Sequence, residues 1–199
     1  GSDSLIKVFA GRQQNALFSI PSYSSGITDV YVSDNFGAAA AGLKDGTVYC
    51  LSIPKQTVSN VLEIPDSSIS GVIITSSWGF LIVISKTRSC QGTSRITIYS
   101  LHGSEVLAQH DHNAQILGWT TWSSSDGFDY IAFFDELNQI YISEVFFVDC
   151  AKMVHHSSIP ILNVTYLPHD EQLIVVNKSG TLSFIDARFF ENRDTVFVL

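Results

Sequence analysis

Ile116-Leu117-Gly118-Trp119-Thr120-Thr121-Trp122, Asp129-Tyr130-Ile131-Ala132-Phe133-Phe134 and Gln139-Ile140-Tyr141-Ile142-Ser143-Glu144-Val145 are three apolar-rich runs in close succession. They are separated by the polar breaks Ser123-Ser124-Ser125-Asp126-Gly127 and Asp135 to Asn138. β-Branched and aromatic side chains fit a pleated, half-buried surface, while Gly, Asp, Asn and Ser supply turn geometry. The stretch from Gln115 to Val145 therefore predicts an antiparallel meander.

The rest of the chain copies it, and helical periodicity is almost absent. A first unit has strands at Ile27 to Val32, Ala38 to Leu43, Thr47 to Ile53 and Ser59 to Ile64, with Lys44-Asp45-Gly46 as a strong hairpin turn. A second runs through Gly71 to Thr75, Phe80 to Ser85, Arg95 to Leu101 and Glu105 to Ala108, with an enlarged loop around Cys90-Gln91-Gly92. The third unit is the opening stretch, closed by a fourth strand within Phe146 to Val154. A fourth has Leu162 to Leu167, Gln172 to Asn177, the turn Lys178-Ser179-Gly180, Thr181 to Ile185 and Thr195 to Leu199. Before them, Leu5 to Phe9 and Ala16 to Ile20 predict a lone hairpin.

The register can be counted. First-strand positions Ile27, Ile69, Ile116 and Ile161 are 42, 47 and 45 residues apart, and third-strand positions Val48, Ile96, Ile140 and Leu182 are 48, 44 and 42 apart. Four strands in a period of about 40 to 45 residues predict an all-β chain of WD40-like β-propeller blades. The blades are expected over residues 22–64, 69–109, 113–154 and 159–199, the leading hairpin forming part of another. The rival is a small β-sandwich binding module, whose strands need not repeat a four-strand unit. Gly1-Ser2 reads as a tag remnant, and the chain as a piece of a larger propeller. Open blades would expose strand edges and apolar flanks, so self-association is expected.

Composition narrows the function. With 45% hydrophobic and 12% aromatic residues the chain can bury a core. No apolar run reaches the roughly 18 residues of a membrane helix, so direct membrane insertion is not expected. Eleven Lys and Arg against 19 Asp and Glu, a net charge of -8, disfavour nucleic acid and favour proteins with basic segments as partners. Cys50, Cys90 and Cys150 are odd in number and lack a CxxC pair, which suits a reducing, intracellular compartment. There is no GxGxxG, P-loop or GxSxG, and no cofactor is expected. The sequons at Asn163 and Asn177 carry little weight.

Ser77-Trp78-Gly79-Phe80 leading into Ile82-Val83, then Ile98-Tyr99-Ser100-Leu101-His102-Gly103, then Trp119-Thr120-Thr121-Trp122-Ser123-Ser124 and Asp126-Gly127-Phe128-Asp129-Tyr130-Ile131, resemble the WD-repeat region at the C-terminus of BEACH-domain proteins. The resemblance covers about Ile69 to Val148. It departs from regular WD40 blades in having no Trp-Asp and no Gly-His dipeptide, although His112 stands where the second would place its histidine. The resemblance implies an intracellular, non-catalytic scaffold in vesicle traffic, peripheral to membranes through a longer protein, and carries over no enzymatic residues.

Five residues stand out as candidate partner contacts. His110 and His112 are read in the loop before the third blade, and His155 and His156 in the equivalent loop before the fourth. These four imidazoles could meet on one face, as a pH-sensitive contact or, less in keeping with their spacing, a metal site. Trp78, in a first-to-second strand turn, is either an exposed contact or, the favoured reading, an anchor packed beneath its own turn. Asp126 with Asp129, and Asp135 with Glu136, could suggest the acid pair of a propeller hydrolase. They bracket turns on opposite ends of a blade, so turn-forming acids are the better reading. Cys90 has basic neighbours but no visible base, and reads as an incidental thiol. Val145-Phe146-Phe147-Val148, apolar on both faces, predicts a covered strand or an interface.

Overall fold

The structure is a computed structural model and describes residues 5–8, 18–21, 25–89, 92–188 and 191–197. A two-stranded hairpin pairs β1 (Leu5–Val8) with β2 (Phe18–Pro21). Four four-stranded antiparallel sheets follow. The first is β3 (Ile27–Ser33), β4 (Ala38–Leu43), β5 (Thr47–Ser52) and β6 (Thr57–Glu63). The second is β7 (Ser67–Ile74), β8 (Phe80–Thr87), β9 (Ser94–Ser100) and β10 (Val106–His112). The third is β11 (Ile116–Ser123), β12 (Asp129–Asp135), β13 (Gln139–Glu144) and β14 (Lys152–His156). The fourth is β15 (Ile161–Leu167), β16 (Gln172–Asn177), β17 (Thr181–Asp186) and β18 (Glu191–Phe197). In every sheet, spatial order follows sequence order, so each is a meander.

The repeat extends to backbone irregularities. The pairing of first with second strand slips between Ile27 and Asp29, between Ile69 and Gly71, between Ile116 and Gly118, and between Ile161 and Asn163. These four isoleucines are the ones that set the sequence period. A bulge inserts one residue into one strand and sharpens the local twist, so each sheet bends at the same place. The bulge is also closed in the same way. Lys44, Arg88, Glu136 and Lys178 each donate a backbone N–H to the carbonyl that precedes the first strand, on Gly26, Asp66, Gln115 and Pro160.

Burial follows strand position. β4 is buried along its whole length, which its small side chains Ala38 to Ala41 allow, and β8 and β12 are nearly so. A strand covered on both faces reads as a continuous apolar run. The fourth strands β6, β10 and β14 are largely exposed and polar.

The chain forms two compact units, residues 1–91 with 95–107, and residues 92–94 with 108–199. In the first unit, Ala38, Ala40, Val48 and Cys50 pack with Ile69, Val72, Ile74, Leu81 and Val83. The sheets are tied by the Asp29 carboxylate, which accepts from Val72 N at 2.9 Å. Burial pushes the Cys50 thiol up to about 11. In the second unit, Trp122, Ala132, Phe134, Ile140 and Ile142 pack with Ile161, Val164, Leu173, Val175 and Ile185. There Asn138, at a left-handed φ of 60° in its turn, accepts from Ile161 N at 3.0 Å.

One expected strand is a different element. Val145–Cys150 is a 3₁₀ turn, and the fourth strand of the third sheet starts only at Lys152. Val145 and Val148, three residues apart, are buried, while Phe146 and Phe147 are 47% and 53% exposed. That spacing fits the three-residue period of a 3₁₀ turn and not the two-residue period of a strand. The Ser143 hydroxyl fixes it by donating to Phe147 O at 2.7 Å. The fourth strand of the last sheet begins at Glu191, earlier than Thr195, and residues 198–199 lie outside the described residues, as does Cys90 with Gln91.

Candidate functional site

The histidines expected in loops lie on strands. His110 and His112 belong to β10, and His155 and His156 to β14, where they pair with Ile140 and Gln139. His, Asp and Asn are turn-forming types, and their density at Asp111 to Asn113 hides a strand that runs on to His112. His112 is turned inward and is 7% exposed, which removes it from the contact surface. Its Nε2 lies 3.0 Å from Asp135 Oδ2. Asp135, wholly buried, uses its other oxygen to accept from Leu137 N and Gln139 N, each at 3.0 Å. The imidazole is held edge-on by Phe133 and Tyr141, with ring centres 5.3 and 4.8 Å away.

His110 lies 5.7 Å from His112, centre to centre, and 6.1 Å from Phe133. Its Nε2 is buried with no hydrogen-bond partner among the described residues. Burial, and then the neighbouring His112, lower its pKa, while Asp111 and Asp149 pull the other way. His155 is half-buried and is likewise lowered by burial and by His156, which is exposed. Among the described residues no group of three or more His, Cys, Asp or Glu could hold a metal ion. The His112–Asp135 pair thus clasps β10 to the β12–β13 turn, and a cavity of about 200 Å³ lies over it.

The carboxylates have structural partners. Asp129 is buried and accepts from the Ser123 hydroxyl at 2.5 Å, whereas Asp126 is exposed. Asp45 closes its hairpin by accepting from Thr47 N at 3.0 Å.

Trp78 reverses the favoured expectation and is 64% exposed. Its turn is closed by Thr75 N, which donates to Phe80 O at 2.9 Å, and by Phe80 N, which donates to Thr75 Oγ1 at 3.0 Å. The ring of Phe36, from the β3–β4 turn, packs against Gly79. Gly79 has a φ of 66°, and a Cβ there would come 3.0 Å from the Phe36 ring. Asn35 Nδ2 joins the two turns by donating to Ser76 O at 3.3 Å. Phe36 keeps 37% exposure, so two rings from adjacent turns face solvent. Beside Phe36 opens a cavity of about 240 Å³, lined by Leu51, Lys55, Thr57, Leu101 and His102 among others. Phe36 was legible as a partner of Trp78 only through a shared aromatic-glycine pair, Phe36-Gly37 and Trp78-Gly79, within turns of the same rank.

No family model matches the chain, and no curated protein does. Among solved structures, the β-propeller domain of Myceliophteria thermophila Cps50 (Swd1) superposes with a TM-score of 0.69. The match covers 89% of this chain and 58% of that one. The fold is a WD40-like β-propeller fold. Sequence identity is 16%, so the likeness carries the fold and not the task. In propeller terms each four-stranded sheet is a blade, and Phe36 and Trp78 stand on consecutive first-to-second strand turns.

Proposed function

We propose that this chain is a non-catalytic protein-recognition module that docks a partner protein on the Phe36–Trp78 face of its first two blades. The observation that carries the reading is Trp78, 64% exposed beside a second exposed ring. Large aromatic rings bring much contact area at low cost in side-chain entropy, and buried aromatic anchors dominate interface energetics. The net charge of -8 favours a partner segment carrying basic residues beside its apolar anchor. Two of the acids that a propeller hydrolase could use, Asp129 and Asp135, are buried and closed to a substrate, which supports recognition over catalysis.

The resemblance of Ile69 to Val148 to the WD-repeat region of BEACH-domain proteins supports a finer reading, an intracellular scaffold in vesicle traffic. The test is affinity capture from cell lysate with the wild-type chain and with Phe36→Ser and Trp78→Ser, followed by calorimetry on the recovered partner. The proposal expects a partner with a basic segment whose affinity falls at least about tenfold in Trp78→Ser, as hot-spot aromatics do. Recovery of the same partners at equal affinity by both variants would overturn it. Absence of trafficking proteins from the captured set would overturn the finer reading alone.

A further inference from the structure

In the second unit, the third and fourth blades enclose a separate cavity of about 300 Å³, lined by Trp122, Asp126, Tyr130, Tyr166, Glu171 and Arg188 among others. Its wall is a stack of rings. Trp122 and Tyr130 are cross-strand partners on β11 and β12, so both stand on one face of the blade. Their rings lie 5.4 Å apart and 16° from parallel. Tyr166, from β15 of the next blade, stacks on Trp122 at 4.9 Å and 15°. Trp122 is 6% exposed while the two tyrosines are half-buried, so the tyrosine rings form the accessible lining.

The rim is acidic. Asp126 comes from the β11–β12 turn and Glu171 from the β15–β16 turn. Burial first, and then Glu144 and Asp126, raise the Tyr130 hydroxyl; burial and then Glu171 raise that of Tyr166. Asp126 and Glu171 line the cavity together with the two tyrosine rings. One cation is already present, and its charge is spoken for. Arg188 reaches Asp186 through Nε at 3.3 Å and Nη2 at 3.2 Å, and Glu171 through Nε at 3.3 Å. Arg188 is thus shared between Asp186 and Glu171, and among the described residues that line the cavity the carboxylates Asp126 and Glu171 outnumber the one guanidinium.

We propose that this inter-blade groove is a binding site for an arginine side chain presented by a partner protein. A guanidinium is planar, so it can continue a stack of near-parallel rings, where a lysine ammonium offers only a point charge. Its fork of donors suits carboxylates spaced along a rim, and charge-assisted bonds of this kind are roughly twice as strong as neutral ones. Arg188 supplies the internal precedent, a guanidinium held between two carboxylates at the mouth of the same cavity. The site is independent of the Phe36–Trp78 face, and the two can fail separately.

The probes are N-acetyl-Gly-Arg-Gly-amide and its lysine, citrulline and glutamate counterparts, titrated into the whole chain by calorimetry and by the indole resonance of Trp122. Saturable binding of the arginine peptide is expected, with citrulline at least about tenfold weaker for loss of a charge-assisted contact. Asp126→Asn and Glu171→Gln, both on turns, should each weaken it by about tenfold, and Trp78→Ser should leave it unchanged. Equal affinity for arginine and citrulline, preference for the glutamate peptide, no saturable binding, or indifference to Asp126→Asn with Glu171→Gln would each overturn the assignment. The peptide series on the wild-type chain decides the matter even where a variant folds poorly.

Discussion

Asp135 is the residue on which most local order converges, because its two oxygens answer two backbone N–H groups and an imidazole. Leaving a buried donor without a partner costs about 1–3 kcal/mol. Asp135→Ala strands the buried His112 imidazole and frees the N–H groups of Leu137 and Gln139 in a partly exposed turn, so a loss of about 3 kcal/mol is expected in urea unfolding, with an intact but less stable fold. His110 gives a pH-dependent counterpart. Its folded pKa is lowered from the ordinary 6.5, chiefly by burial, so the unfolded chain binds the proton more readily. The stability it contributes is complete above 6.5 and is lost as the pH falls from there through the folded value. Comparing urea midpoints at neutral and mildly acidic pH, His110→Leu should lose less on acidification than the wild type. An equal or larger loss in the variant would show that His110 does not carry the dependence.

At the scale of the strand and turn, Gly46 is the position with least freedom. It holds a φ of 98° at the β4–β5 turn, and a Cβ there would strike the carbonyl of Ile64 and come 3.0 Å from that of Ser67. Both strain and overlap oppose any side chain, so Gly46→Ala should cost about 2 kcal/mol in chemical denaturation. The same Asp-Gly pair was the clearest hairpin signal in the sequence. The edges of β4, β12 and β16 were legible for the same reason, since each is an apolar run ended by a turn residue, whereas β8 runs two residues past the expected Ser85 through the polar Lys86 and Thr87. The fourth strands were harder. β10 and β14 carry histidines, lysine and aspartate on an exposed edge, and neither their polarity nor their alternation separates them from a loop. Of the two expectations for Val145 to Val148, the covered strand failed in the opposite way, because a four-residue apolar run has no period to distinguish strand from 3₁₀ turn. The exposure of Trp78 was out of reach, as it depends on a neighbouring turn, whose Phe36 packs against Gly79.

Over the whole chain, each compact unit has a buried cluster of its own, Ala38 to Leu101 in one and Trp122 to Ala187 in the other. Stability in stacked repeats is close to a sum of local terms, and opening occurs in cooperative blocks. Gly46→Ala should therefore accelerate amide hydrogen exchange across residues 25–89 and 95–107 and leave residues 92–94 and 108–188 at wild-type protection. Uniform acceleration along the chain would show that the two clusters melt as one. Self-association through exposed strand edges remains a proposal for light scattering to test: a dimer is expected, and a strictly monomeric mass at all concentrations would count against it.

The outward-facing indole on the second blade has a practical corollary. Trp122 is shielded within a ring stack and Trp119 is partly buried, whereas Trp78 is 64% exposed, so in a Trp119→Phe background red-edge emission and acrylamide quenching should report on Trp78 without any added dye. The chain carries its own optical gauge for whatever settles on that turn.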